Sequence, residues 1–101
     1  MIIYNTTFQV GINDAQNLVV YLHEKYIPEA KKSGIILGSK MCRVITHHDE
    51  ASECISVQFD INDMATFHKW YATEGVKLNN EMLALFKNKI VGFPTMLEVI
   101  E

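Results

Sequence analysis

Apolar and polar residues alternate at the start of the chain. Ile2, Tyr4, Phe8 and Val10 share one parity with Thr6, while Asn5, Thr7 and Gln9 take the other. A period of two marks a strand with one buried face. Gly11 ends it, and Asn13 or Asp14 is placed to cap a helix. From Ala15 the spacing changes to three and four residues. Ala15, Leu18, Val19, Leu22 and Tyr26 fall on one stripe, as on the buried side of a helix. Pro28 sits inside that pattern, so the helix should kink or restart there. Ser33-Gly34 should close it, with Lys31 and Lys32 near its negative end.

A second β-rich stretch runs from Ile35 to Thr46, with two possible inward sets: Ile36, Cys42 and Val44, or Leu37, Met41 and Ile45. A polar turn, His47-His48-Asp49-Glu50, leads to a third strand from about Glu53 to Asp60. Ile55, Val57 and Phe59 share one of its faces, and Cys54, Ser56 and Gln58 the other. So short a connection predicts an antiparallel hairpin. Asn62 or Asp63 then caps a long second helix, with Met64, Phe67, Tyr71, Leu78, Met82, Leu85 and Phe86 on its apolar stripe. Gly75 lies on the same stripe, so either the helix approaches the sheet closely there or it breaks. In the last strand, Ile90 to Ile100, the residues Val91, Phe93, Leu97 and Val99 share a face and Pro94 takes the other. A proline donates nothing to the ladder, so this strand should be an edge or carry a bulge.

Strand, helix, strand, strand, helix, strand is the split β-α-β order. Right-handed crossovers put both helices on one side of the sheet. The expected fold class is therefore α+β: a ferredoxin-like βαββαβ sandwich over residues 1–101, read as one domain. Its four-stranded antiparallel sheet has order 4-1-3-2, with the last strand at an edge, as Pro94 requires. With Tyr4, Phe8, Ile55, Val57, Phe93 and Leu97 beneath the helices, the bare side is expected to carry Asn5, Thr7, Gln9, Ser56, Gln58, Met96 and Glu98. Ile3, Ile90, Met96 and Ile100 would add apolar patches to it. Neutral hydrogen-bonding side chains suit a pocket, since they contact a ligand without burying a charge.

Composition narrows the picture. At 49% hydrophobic and 21% charged residues the chain can support a core. A net charge of -3 with scattered lysines lacks the concentrated basic patch that phosphate neutralisation demands, so a nucleic-acid partner is not expected. No apolar run approaches the ~20 residues that span a bilayer, and the first residues do not resemble a secretory leader. The expectation is a soluble cytoplasmic protein without a membrane partner. Reduced thiols are expected in that compartment, although a bridge between Cys42 and Cys54 on neighbouring strands is conceivable.

No catalytic or metal-binding motif stands out, and neither a metal nor a cofactor is expected. His47 and His48 read as solvated turn residues, since no third ligand is placed beyond Asp49. His23 and His68 fall on helices, His68 beside the apolar stripe. Cys42 lies near Lys40 and Arg43, which could activate it, but a small buried hydrophobe is the simpler reading. Glu98 and Arg43 could pair on the open face. Trp70 flanks the core stripe and packs there or edges a pocket. The residues proposed to contact a ligand are Asn5, Thr7, Ser56, Gln58, Met96, Glu98, His68 and Trp70.

Several segments carry a resemblance: Met1-Ile2-Ile3-Tyr4-Asn5, Tyr26-Ile27-Pro28-Glu29-Ala30 with Ser33-Gly34, Ser56-Val57-Gln58-Phe59, and Phe93-Pro94-Thr95-Met96-Leu97-Glu98-Val99-Ile100. Together they resemble an uncharacterised bacterial family, a domain of unknown function, over essentially the whole chain. The resemblance implies a ferredoxin-like protein that pairs into a dimeric α+β barrel. Tyr26 stands where that family often has histidine, and Pro94 where it commonly has arginine, so a chemical role at either position is not expected here. The leading expectation is a homodimer that binds a ligand or partner and has no chemistry of its own. The alternatives are a cofactor-independent oxygenase or isomerase of the same barrel type, and a regulatory or structural interaction module.

Overall fold

A computed structural model describes residues 1–101. Strand β1 (Ile2–Gly11) lies at the centre of the sheet, and its burial alternates residue by residue as its sequence does. It pairs antiparallel with β3 (Ser52–Ile61) on one side and β4 (Ile90–Glu98) on the other, while β2 (Gly38–Arg43) pairs with β3. The order is β2-β3-β1-β4, the arrangement expected. β4 is an edge, and Pro94 sits opposite Thr6 in an unbroken register.

Both helical crossovers have the same design, two α-helices joined by one π-helical turn. In the first, α1 (Ala15–Tyr21) passes through the π-turn Leu22–Tyr26 into α2 (Ile27–Lys31). Proline has no N–H to give and crowds the carbonyl four residues back. The widened turn, in which Ile27 N–H reaches back to the Leu22 carbonyl, lets the helix restart with Pro28 in its first turn. Asp14 occupies the N-cap position without a side-chain hydrogen bond. At the far end Ser33 Oγ donates to the Ala30 carbonyl, and Gly34 turns the chain at φ +80°, where a side chain would be strained.

The second crossover joins α3 (Met64–Trp70) to α4 (Val76–Leu85) through the π-turn Tyr71–Gly75. Asp63 caps α3, its carboxylate accepting from Thr66 N–H at 2.8 Å. Gly75 does not break the helix. A Cβ there would lie 2.8 Å from carbons of both the Trp70 and Tyr71 rings, so glycine is what allows those rings to fold over the turn.

The core lies between the helices and one sheet face. Ile2, Tyr4, Phe8 and Val10 of β1 and Ile55, Val57, Phe59 and Ile61 of β3 meet Leu18, Leu22, Tyr26, Ala30, Phe67, Trp70, Leu78 and Met82. Tyr26 stacks on Phe59 with ring centroids 5.8 Å apart, a packing role. Burial drives its hydroxyl pKa far above the ordinary tyrosine value. Met64 and Leu85, expected on the buried stripe, lie at helix ends and are exposed.

Two strands depart from expectation. Directly opposed residues of neighbouring strands point to the same face. In β4 the partners of Val10, Phe8, Thr6, Tyr4 and Ile2 are Ile90, Gly92, Pro94, Met96 and Glu98, which therefore lie on the helix side. Phe93 and Leu97, expected under the helices, lie on the open face, and Ile90, expected there, is buried in the core. In β2 neither inward set holds entire. Met41, opposite Val57, faces the helices, yet Leu37 and Ile45 are exposed, while Ile35 and Ile36 pack on the core from the preceding loop. Cys42 is exposed rather than buried.

Candidate functional site

The open face is built from two strand pairs in strict register. Asn5 stands between Thr95 and Gln58, and Gln58 opposite Lys40; Thr7 stands between Phe93 and Ser56, and Ser56 opposite Cys42. The centre is thus a polar row, tied together by Ser56 Oγ donating to Asn5 Oδ1 at 2.6 Å and Asn5 Nδ2 donating to Thr7 Oγ1 at 3.4 Å. Along β4 the same face becomes apolar. Val91 and Phe93 are each 52% exposed and Leu97 41%, beside a half-buried Ile3.

Of the residues expected to form a site, Asn5, Thr7, Ser56 and Gln58 are brought together. Met96 and Glu98 are not. They project to the helix side of β4, because that strand pairs with β1 in the opposite parity from the one its hydrophobicity suggests. His68 is exposed on α3, and Trp70 is buried among Tyr4, Phe59, Phe67 and Tyr71, so neither reaches the open face. The supposed Glu98–Arg43 pair does not form either. Arg43 bonds Glu53 at 3.2 Å, across the β2–β3 hairpin.

Two features were not anticipated. One is a cleft of about 120 Å³ between the β1–β4 half of the sheet and α4, lined by Tyr4, Thr6, Tyr71, Asn79 and Pro94. Burial raises the Tyr4 hydroxyl pKa above its ordinary value. The other is a polar cluster where the β2–β3 hairpin folds back. His47 Nε2 lies 2.9 Å from Ser52 Oγ, Ser52 Oγ donates to Asp49 Oδ2 at 2.9 Å, and His47 Nδ1 lies 3.5 Å from Cys54 Sγ. His47 and Asp49, two positions apart, were visible in the sequence, but the turn that closes them on Ser52 and Cys54 was not. A groove of about 500 Å³ lies on the helical layer between α1 and the α4–β4 turn, lined by Asp14, Tyr21, Lys25 and Phe86 among others.

No helix is long and apolar enough to cross a membrane. An antiparallel sheet of this order under two helical crossovers defines a ferredoxin-like α+β protein. The chain belongs to the family described as Domain of unknown function (DUF4286), which it matches over residues 1–100. No curated protein matches it. Among solved structures it is similar to a candidate antibiotic biosynthesis monooxygenase from Deinococcus radiodurans, at TM-score 0.73 and 16% identity over 100% of this chain and 94% of that one. It is also similar to an ethyl tert-butyl ether D (EthD) family protein from Bacillus halodurans, at TM-score 0.70 and 11% identity over 99% and 100%. A third is a dimeric ferredoxin-like protein from an uncultured marine organism, at TM-score 0.63 and 17% identity over 99% and 96%. Likeness at these identities establishes the fold.

Proposed function

We propose that this chain is a cytoplasmic, single-domain ligand-binding protein that works as a homodimer. Two open sheet faces pack together into a dimeric α+β barrel, and Asn5, Thr7, Ser56 and Gln58 line the space between them. The observation that carries this reading is the parity of β4. Its large apolar side chains, Val91, Phe93 and Leu97, point away from the helices and stand roughly half exposed. Exposed apolar side chains on both sides of Thr95, beside a polar row, are more than the scattered exposure usual on a monomer's surface and support an interaction site. A second copy is the occupant that matches it, because a two-fold interface sets the same patch against itself. The marine ferredoxin-like neighbour named as dimeric supports this choice. The polar row then recognises a small, uncharged or weakly polar ligand through hydrogen bonds.

Solution mass is the direct test. Sedimentation equilibrium should give a dimer, and a strict monomer at high micromolar concentration overturns the reading. For the ligand, compounds found by thermal-shift screening should bind more weakly to Asn5→Ala while the dimer mass is unchanged.

A second reading, a cofactor-independent oxygenase or isomerase, is favoured by the Tyr4–Tyr71–Asn79 cleft and by the candidate monooxygenase among the neighbours. At about 120 Å³ the cleft falls short of the ~300–1,000 Å³ usual for ligand pockets, which places this reading second. Turnover of a substrate that Tyr71→Phe abolishes and Asn5→Ala spares would reverse the order.

A further inference from the structure

The hairpin cluster has a determinable proton order. A hydroxyl carries one hydrogen, and that of Ser52 is given to Asp49 Oδ2 at 2.9 Å. Toward His47 Nε2, 2.9 Å away, Ser52 Oγ therefore only accepts, as it does from Gln9 Nε2 at 3.4 Å. His47 must carry its hydrogen on Nε2, and in the neutral ring Nδ1 is then a bare acceptor. Its partner at 3.5 Å is Cys54 Sγ, whose S–H donates. The result is a continuous chain from carboxylate to hydroxyl to imidazole to thiol, with the imidazole lone pair aimed at the sulfur. Asp49 anchors the far end as a carboxylate, its pKa lowered by the Ala51 N–H and by the Ser52 hydroxyl.

A second thiol shares the surface. Cys42 stands opposite Ser56, and Cys54 is two residues before Ser56 on the same strand. The two cysteines are therefore diagonal neighbours on the open face, roughly 7–8 Å apart, so a bridge between them requires the end of the edge strand β2 to shift toward β3. Both are free; Cys42 is exposed and Cys54 partly so. The second thiol decides the chemistry. An acyl-transfer nucleophile has no use for it, whereas an oxidised cysteine is released by a neighbouring thiol.

We propose that Cys54 is a peroxide-reactive thiol, with His47 as the base that takes its proton and Cys42 as the thiol that resolves the product. His47 Nδ1 removes the S–H proton, and the thiolate attacks one oxygen of a hydroperoxide. An S–O bond forms as the O–O bond breaks, and the departing alkoxide or hydroxide leaves as alcohol or water with the proton held by His47. Cys54 is oxidised by two electrons to the sulfenic acid, and the peroxide is reduced. Cys42 sulfur then attacks Cys54 sulfur; the S–S bond forms, the S–O bond breaks, and water departs with the Cys42 proton. Both thiols stand on the face proposed to close in the dimer, so a hydroperoxide reaches them through the space between the two sheets or from the rim at the β2–β3 edge; the proton chain lies within one copy, and the inference goes beyond the binding reading.

The test treats the intact chain with hydrogen peroxide and maps the thiols by mass spectrometry over time. Cys54 should oxidise before Cys42 and end in a Cys42–Cys54 bridge. In Cys42→Ser it should stop at a sulfenic acid that dimedone traps. His47→Asn should slow Cys54 oxidation at least about tenfold, the low side of what a positioned base supplies. Ser52→Ala, which keeps the imidazole but frees its orientation, should slow it less, and neither change should alter alkylation of Cys42 by iodoacetamide. Circular dichroism confirms that each variant is folded. Oxidation of Cys54 no faster than that of Cys42, or a rate unchanged in His47→Asn, overturns the proposal.

Discussion

At the scale of single residues, Gly75 sets two known effects against each other. Alanine there would gain about 1 kcal/mol of helix propensity, since the φ of -64° is ordinary for a helix. Its Cβ, however, would lie 2.8 Å from both the Trp70 and Tyr71 rings, which are held by the aromatic cluster around Tyr4 and Phe67. Overpacking a core typically costs about 1–3 kcal/mol, so Gly75→Ala should be destabilising on balance, read as a lower urea midpoint. A higher midpoint would show that the rings move aside freely. Asp63 makes a prediction in pH. Its carboxyl pKa is lowered from 3.8, mainly by the Thr66 backbone N–H it accepts from. A carboxyl with a depressed folded value stabilises the fold above its unfolded value and loses that contribution as pH falls through the folded one. Asp63→Ala should therefore be less stable than the parent at neutral pH, and the gap should close below about pH 3.8. The four polar residues at the centre of the candidate site were readable from residue types and parity. The His47–Ser52–Cys54 cluster was not, because hydrogen bonds across a fold-back turn leave no periodic trace in sequence.

At the scale of elements, the two π-turns explain why Pro28 is tolerated inside a helical crossover. A proline in an uninterrupted helix costs about 3 kcal/mol, but in the first turn its missing N–H is one the helix leaves unused. The π-turn Leu22–Tyr26 converts the first situation into the second. Pro28→Ala should then change stability by no more than about 1 kcal/mol, since little strain is relieved and some unfolded-state entropy is regained. A gain near 3 kcal/mol in chemical denaturation would show the helix strained at this point after all. Both β1 and β3 were legible because they are central strands, with one face sealed under helices and the other polar. β2 was not. It is a short edge strand whose apolar neighbours Ile35 and Ile36 pack from a loop, so alternation does not extend through it. In β4 the grouping of residues was correct and the side was inverted. Alternation records which residues are meant to be buried, without saying by what, and Ile90, Gly92, Pro94, Met96 and Glu98 make a poor core-facing set.

At the scale of the whole molecule, that inversion is what supports the proposed dimer. Val91, Phe93 and Leu97 satisfy no contact with the helices, yet they keep the regular spacing that selection for burial produces. A monomer gains nothing from this, whereas two copies facing each other through the sheet recover the burial on both sides at once. An aspartate at position 93 would set one charge from each copy into the apolar part of the proposed contact, beside Thr7 of β1. Phe93→Asp should weaken dimerisation by at least about a hundredfold, roughly the 2–3 kcal/mol of one buried aromatic. Leu85→Asp, on an equally exposed apolar residue of the helical layer, should leave the mass unchanged. Thermal unfolding supplies an independent reading. A dimer's melting temperature rises with protein concentration by mass action, so the parent and Leu85→Asp should show that rise and Phe93→Asp should not. If Phe93→Asp stays dimeric, the interface lies elsewhere, and the polar row of Asn5, Thr7, Ser56 and Gln58 is an open surface rather than the lining of a shared cavity.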